Sequence, residues 1–175
     1  MKKPPLILTN VLVFIISGAI AFIGVPLWVA YQGIDWAEIG AAIFLFYFTG
    51  MSITAGYHRL WSHKTYDANV VVRVILAIGG AMALQNSILH WSSDHRVHHR
   101  HVDDNDKDPY SAKKGLWFAH IGWMLREYQA KRYDDYSNCK DLQKDKVVMW
   151  QHNHYLPIVL AANFGITGLL GYLNG

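Results

Sequence analysis

The chain has 175 residues, a formal charge of +3 and 52% hydrophobic residues. That is room for one domain, too little positive charge for a nucleic-acid partner, and a composition that suits a membrane protein with a polar part better than a soluble globule. Residues 91–154 hold eleven of the sixteen Lys and Arg and ten of the thirteen Asp and Glu, so both flanks are nearly free of charge. Cys139 is the sole cysteine, which excludes an intrachain disulfide. Its neighbours Asn138 and Lys140 predict a solvated position without a role.

Residues 6–31 (LILTNVLVFIISGAIAFIGVPLWVAY) carry no charge and are long enough to cross a bilayer, which takes roughly 20 apolar residues. The run is too long for the apolar part of a signal peptide. Lys2 and Lys3 ahead of it predict a cytoplasmic N-terminus. Residues 39–57 form a second uncharged span, and the basic His58-Arg59 follows at once, back on the cytoplasmic side. Residues 70–90 are apolar too, but Arg73, Gln85, Asn86 and His90 argue against a lipid-exposed helix. A crossing there would also put the histidines before and after it on opposite sides of the membrane. A helix packed at the membrane face or against the polar domain is expected. Residues 91–154 read as polar helices with loops, making 58–154 cytosolic. Residues 155–174 form a third span, with Pro157 near its start, and leave Gly175 on the outer side. The expected fold is all-α, a transmembrane helix bundle with a cytosolic histidine-rich helical domain.

The ten histidines carry the chemistry, six of them lying between His90 and His120. In His58-Arg-Leu-Trp-Ser-His63 the two imidazoles are five apart, so on an ideal α-helix they point roughly 140° apart. Such a pair reaches two neighbouring ions, or one ion if the helix end unwinds. In Asp94-His95-Arg96-Val97-His98-His99 the histidines fall at i, i+3 and i+4, which share one helix face. Five imidazoles in two clusters exceed the four ligands that close a single zinc site, and so suggest two metal ions. Imidazole suits iron, copper and zinc alike. An apolar anchor without a hydrolytic base motif favours iron and oxidation of something greasy. His90 and His101 flank the second cluster, as partners of ligands or as exposed residues. His120, in an apolar run, reads as a hydrogen-bonded core residue, and His152 and His154 as interfacial. Asp103, Asp104, Asp106 and Asp108 lack the Gly and bidentate Glu of a calcium loop and read as a solvated acidic loop ending in the Asp108-Pro109 turn. Lys113-Lys114 reads as solvated, with the capacity to steer an acidic partner.

HRLWSH at 58–63 and DHRVHH at 94–99 resemble the first two histidine boxes of membrane fatty acid desaturases of the acyl-CoA delta-9, or stearoyl-CoA, type. ITAGYHRLWSHKTY, ALQN at 83–86, the DP turn, GLWFAHIGW at 115–123 and DKVVMWQ at 145–151 follow in the family's order, from about Asn10 onward. The resemblance implies one desaturase domain over 1–175, with His58, His63, His95, His98 and His99 as ligands of two iron ions and oxygen as co-substrate. It implies a fatty acyl thioester as substrate, acyl-CoA above all, and an external electron donor such as a ferredoxin or a cytochrome. By matching position, Asn10 and Asp94 would contact the head group of the acyl thioester. Gln85 and Asn86 would lie near the acyl carbonyl, while Phe46 and Gly50 would help close the acyl tunnel. Phe46 and Gly50 stand one turn apart on one helix face, which ordinary helix packing explains equally well. Ser93 stands where the family often has an arginine, and Glu127 follows Arg126 where more positive charge would be expected, so the acyl carrier is open. The family also has a fourth span and a third HxxHH box. Neither occurs in these residues, so the domain is expected to be C-terminally incomplete. A membrane hydroxylase with the same metal chemistry, and an inactive fragment, are the alternative readings.

Overall fold

The computed structural model describes residues 4–128 and 135–174. Lys2, Lys3 and Gly175, on which part of the membrane orientation was argued, lie outside the described residues. Helix α1 (Leu8–Gln32), α2 (Trp36–Ser62) and α6 (Tyr155–Leu173) are each long and apolar enough to cross a membrane. They extend or trim the expected spans by a few residues. Helix α3 (Val70–Met82) has 13 residues, about 20 Å at 1.5 Å per residue, short of the roughly 30 Å hydrocarbon core. Helices α4 (Ile88–Arg100) and α5 (Lys146–Asn153) carry the polar sequence. Apart from an isolated bridge between Leu6 and Arg126, the described residues form helices, turns and loops.

The chain divides into two compact units, one from residues 1–36 with 97–132 and the other from 37–96 with 133–175. In the first, α1 buries no residue in its apolar window. It is apolar all round, as a helix solvated by lipid must be. Asn10 Nδ2 donates to the Met124 carbonyl at 2.7 Å, and Ile7 N to the Leu125 carbonyl at 3.0 Å. These bonds tie the start of α1 to the short helical turn Trp123–Leu125.

The second unit holds a core of Tyr57, Leu60, Trp61, Ala77, Ile88, Leu89, Cys139, Leu142, Val147 and Val148. The last eleven residues of α2, Ser52–Ser62, form a π-helix against which α3 packs. Gly79 and Gly80 permit that close approach, because a Cβ at Gly79 would collide with Ser52 and Phe48, and one at Gly80 with the Tyr57 ring. A hydrogen-bond hub links three segments through the buried Tyr57. Its hydroxyl donates to the Asn86 carbonyl at 3.2 Å and accepts from Gln151 Nε2 at 2.7 Å, while Gln151 Oε1 accepts from Ile88 N at 3.0 Å. Arg73, which argued against a lipid-facing α3, pairs with Asp145. Asp145 also caps α5 by accepting from Val147 N and Val148 N.

Cys139 is fully buried, not solvated. Its turn folds inward under Leu142 and Tyr136, and burial pushes its thiol up to about 11.

Candidate metal centre

The π-helix resolves the difficulty of the first histidine pair. Its backbone bonds run from residue i to i+5, and His63 N donates to the His58 carbonyl at 3.0 Å. Residues five apart therefore stack on one face, and the His58 and His63 ring centroids lie 4.5 Å apart. The expectation of roughly 140° of divergence assumed an α-helix and is corrected here: no unwinding of the helix end is needed.

From α4, His95 joins them, its ring 4.7 Å from that of His58 and 5.1 Å from that of His63. The three rings offer nitrogens within 4.8 Å of one another, and His63 Nε2 and His95 Nε2 are 3.0 Å apart. Trp91 walls this group, stacked on His95 at 4.7 Å and edge-on to His58 at 6.2 Å. An all-nitrogen donor set at this spacing fits a transition metal that accepts imidazole. α4 continues past Arg96 and carries His99 one turn beyond His95 on the same helix face.

His98 is held differently. Its Nδ1 lies 2.9 Å from Asp108 Oδ1, and its ring packs 4.4 Å from that of Tyr110. Asp108 was expected in a solvated acidic loop, yet its side chain is 0% exposed. It accepts from Asp103 N at 3.0 Å and Tyr110 N at 3.1 Å as well. Burial opposes its ionisation, but the His98 bond and the two backbone donors win and keep the carboxyl below its ordinary range. A carboxylate on Nδ1 fixes the tautomer that leaves Nε2 as the lone-pair nitrogen, the usual support for a metal-binding histidine. The one signal in the sequence was the Asp-Pro dipeptide.

The other candidates have definite surroundings. Gln85 Oε1 accepts from Trp91 Nε1 at 3.2 Å, so it holds the indole that faces His95. Asn86 adopts a left-handed backbone with φ 70° and donates its N–H to the Tyr155 hydroxyl at 3.1 Å. With Ser87, His90, Tyr136, His152 and Tyr155 it lines a cavity of about 190 Å³. Asp94 is buried, with Oδ2 3.3 Å from His90 Nε2. Phe46 and Gly50 are exposed on α2, and a Cβ at Gly50 would meet open space. Ser93 is buried and donates to Asn138 Oδ1 at 2.8 Å, so it is turned into the protein.

The remaining histidines stay out of the trio. His90 is buried with Nδ1 3.2 Å from the Tyr136 hydroxyl. His152 Nδ1 is 2.7 Å from Ser87 Oγ, and burial followed by the proximity of His90 lowers its pKa. His120 and His154 bond to carbonyls one turn back, at Leu116 and Trp150.

Three membrane-length helices, one ending in a cluster of imidazoles, are the architecture of an integral membrane protein built around a candidate metal centre. The family described as fatty acid desaturase matches residues 34–175, and the chain belongs to that family. It is 50% identical over 117 residues to a probable acyl-CoA desaturase of Schizosaccharomyces pombe, covering 67% of this chain and 24% of that protein. It is 36% identical over 170 residues to an acyl-CoA desaturase of Cyprinus carpio, covering 93% of this chain and 50% of that protein. Against a stearoyl-CoA desaturase of Bos taurus it is 45% identical over 124 residues, covering 69% and 34%. The chain thus spans half or less of the length of these relatives.

Proposed function

We propose that the protein is a fatty acyl desaturase that introduces a cis double bond into a saturated acyl chain, with acyl-CoA as substrate and delta-9 as position. The observation that carries this reading is the convergence of His58, His63 and His95 at the end of a membrane-length helix. His99 on the same face of α4, and His98 oriented by Asp108, are the further ligands this chain would contribute to two iron ions. When bound, the irons supply oxygen activation and the abstraction of two hydrogens from adjacent methylenes.

The side chains position and exclude. The π-helix and α4 hold the imidazoles on packed backbone, where a site keeps its geometry better than on a loop. Trp91, held by Gln85, covers one side of the His95 ring and fixes its orientation. Asn86 lines the 190 Å³ cavity, suited to the carbonyl end of the thioester. Asn10 and Asp94 serve the head group. Phe46 and Gly50, on the apolar α2, serve the acyl chain. Electrons come from a ferredoxin or a cytochrome, with the histidines and N-terminus on the cytoplasmic side. Membrane lipid solvates α1.

The test is expression of the open reading frame that carries this chain in a host without its own desaturase, followed by mass spectrometry of its fatty acids. A cis monoene at the ninth carbon, lost when His63 or His95 is replaced by alanine, is the expected result. A hydroxylated product with no alkene would instead favour the membrane hydroxylase. No product, with substoichiometric iron in the purified protein, would favour an inactive chain.

A further inference from the structure

We propose that Arg96 is the positioning residue of the histidine centre: it locks the end of the π-helix, which carries His58 and His63, onto the helix that carries His95. The imidazoles then stand in place before a metal arrives. The inference rests on the metal-binding reading above.

A guanidinium has five N–H donors, and every one of them is engaged. Nε donates to the Ser62 carbonyl at 3.3 Å, and Nη2 to the Trp61 carbonyl at 3.1 Å. Nη1 donates to the Asn138 carbonyl at 2.9 Å. Asp141 takes the other two as a forked pair, at 2.8 and 3.0 Å. The Trp61 and Ser62 carbonyls are among the last of the helix, where intrahelical donors have run out and a cation is favoured by the helix dipole. Arg96 therefore grips α2 immediately before His63, while its own backbone is that of α4 one residue after His95. Ser62 Oγ adds a second tie, donating to Ser92 Oγ at 2.9 Å.

Asp141 keeps the fork in place. Its carboxyl sits well below the ordinary range, held there first by the Arg96 hydrogen bonds against the cost of burial, with Lys64 Nζ at 2.5 Å adding to it. Position 96 lies about 100° around the helix from His95, so changing Arg96 removes no imidazole. The grip needs a planar fork reaching four acceptor groups, which a lysine ammonium cannot supply.

The experiment uses the full chain in detergent micelles as wild type, Arg96→Lys, Asp141→Asn and Lys64→Met. Ferrous iron is titrated anaerobically, the Mössbauer spectrum of the loaded protein is recorded, and far-UV circular dichroism follows the helices. The expected result is wild-type helicity in every variant, with iron affinity reduced about ten- to hundredfold in Arg96→Lys and Asp141→Asn and a broadened spectrum. Lys64→Met, which breaks a pair whose lysine is exposed and leaves the Arg96 fork intact, should stay within about twofold. Wild-type affinity and spectrum in both Arg96→Lys and Asp141→Asn would overturn the proposal. So would loss of iron in strict proportion to loss of helix, which makes Arg96 a fold-holding residue only. If the wild type takes up another divalent ion and not iron, the iron reading fails alone, and Arg96 is judged by that ion's affinities. If it takes up no metal, both fail.

Discussion

Two π-helical stretches of this chain have the same backbone and opposite surroundings. Ile20–Gly24 lies inside α1, carries only apolar side chains and glycine, and buries nothing. Ser52–Ser62 ends α2, buries Ser52, Gly56, Tyr57, Leu60, Trp61 and Ser62, and stacks His58 beside His63. The wider winding is common to both, so the winding alone makes no site. What differs is that the second stretch presents imidazoles and is over-determined by its neighbours, by glycines that admit Ser52 and Tyr57, a hub that saturates the Tyr57 hydroxyl, and a guanidinium on its last carbonyls.

The sharpest way to break this contrast is at the metal. His63→Ala should cut metal affinity by at least about a hundredfold, since loss of a mere supporting partner already costs ten- to hundredfold; metal titration of the purified protein reads it. Unchanged affinity would mean the stacked pair is not a ligand set. Next comes packing. Gly80→Ala drives a Cβ into the Tyr57 ring and should cost about 2 kcal/mol, as overpacking of a tight core does, measured as a drop in thermal stability in micelles. A smaller effect is expected outside the π-helix: Asp108→Asn should weaken metal binding about tenfold by releasing the His98 tautomer, with helicity unchanged.

Acid should act through Asp141. Its folded-state pKa is lowered, so its contribution is complete above the ordinary carboxylate value of about 3.9 and fades as pH falls through the lower folded value. Because the carboxylate is about a third exposed, the contribution is under about 1 kcal/mol. Stability against pH below about 4 should be flatter in Asp141→Asn than in wild type. The smallest effect belongs to the other π-stretch. Phe22, 85% exposed on α1, should tolerate alanine within about 0.5 kcal/mol, and a large loss there would show that α1 is packed, not solvated by lipid.

The membrane-length helices were legible because lipid demands long apolar helices whatever else the protein does, and residues 6–31, 39–57 and 155–174 differ from α1, α2 and α6 only at their ends. His95, His98 and His99 were legible as one face because α4 has ordinary α geometry. His58 and His63 were not, since five-residue spacing makes a face only under i→i+5 bonding, and local sequence does not announce that winding. Asp108 was hidden among acidic neighbours of which it alone, within 103–108, turns fully inward. Cys139 was hidden for the converse reason: its polar sequence neighbours say nothing of Leu142 and Val148 in the core it joins. Arg96 looked like one more charge on a solvated face, because its acceptors come from residues 61–62 and 138–141, far away in sequence.

The Tyr57–Gln151 hydrogen bond joins residues 94 apart. At ribosomal speeds of about 5–20 residues per second, Gln151 is made roughly 5–20 s after Tyr57. For that interval the segment bearing His58 and His63 has left the ribosome without the partner that completes its core. The core around the end of α2 therefore closes only after Gln151 is made, and a metal ion delivered earlier would meet histidines that are present but not yet held in register. The chain's own connectivity thus sets one order: the histidine-bearing helix end is made first, and its clasp later.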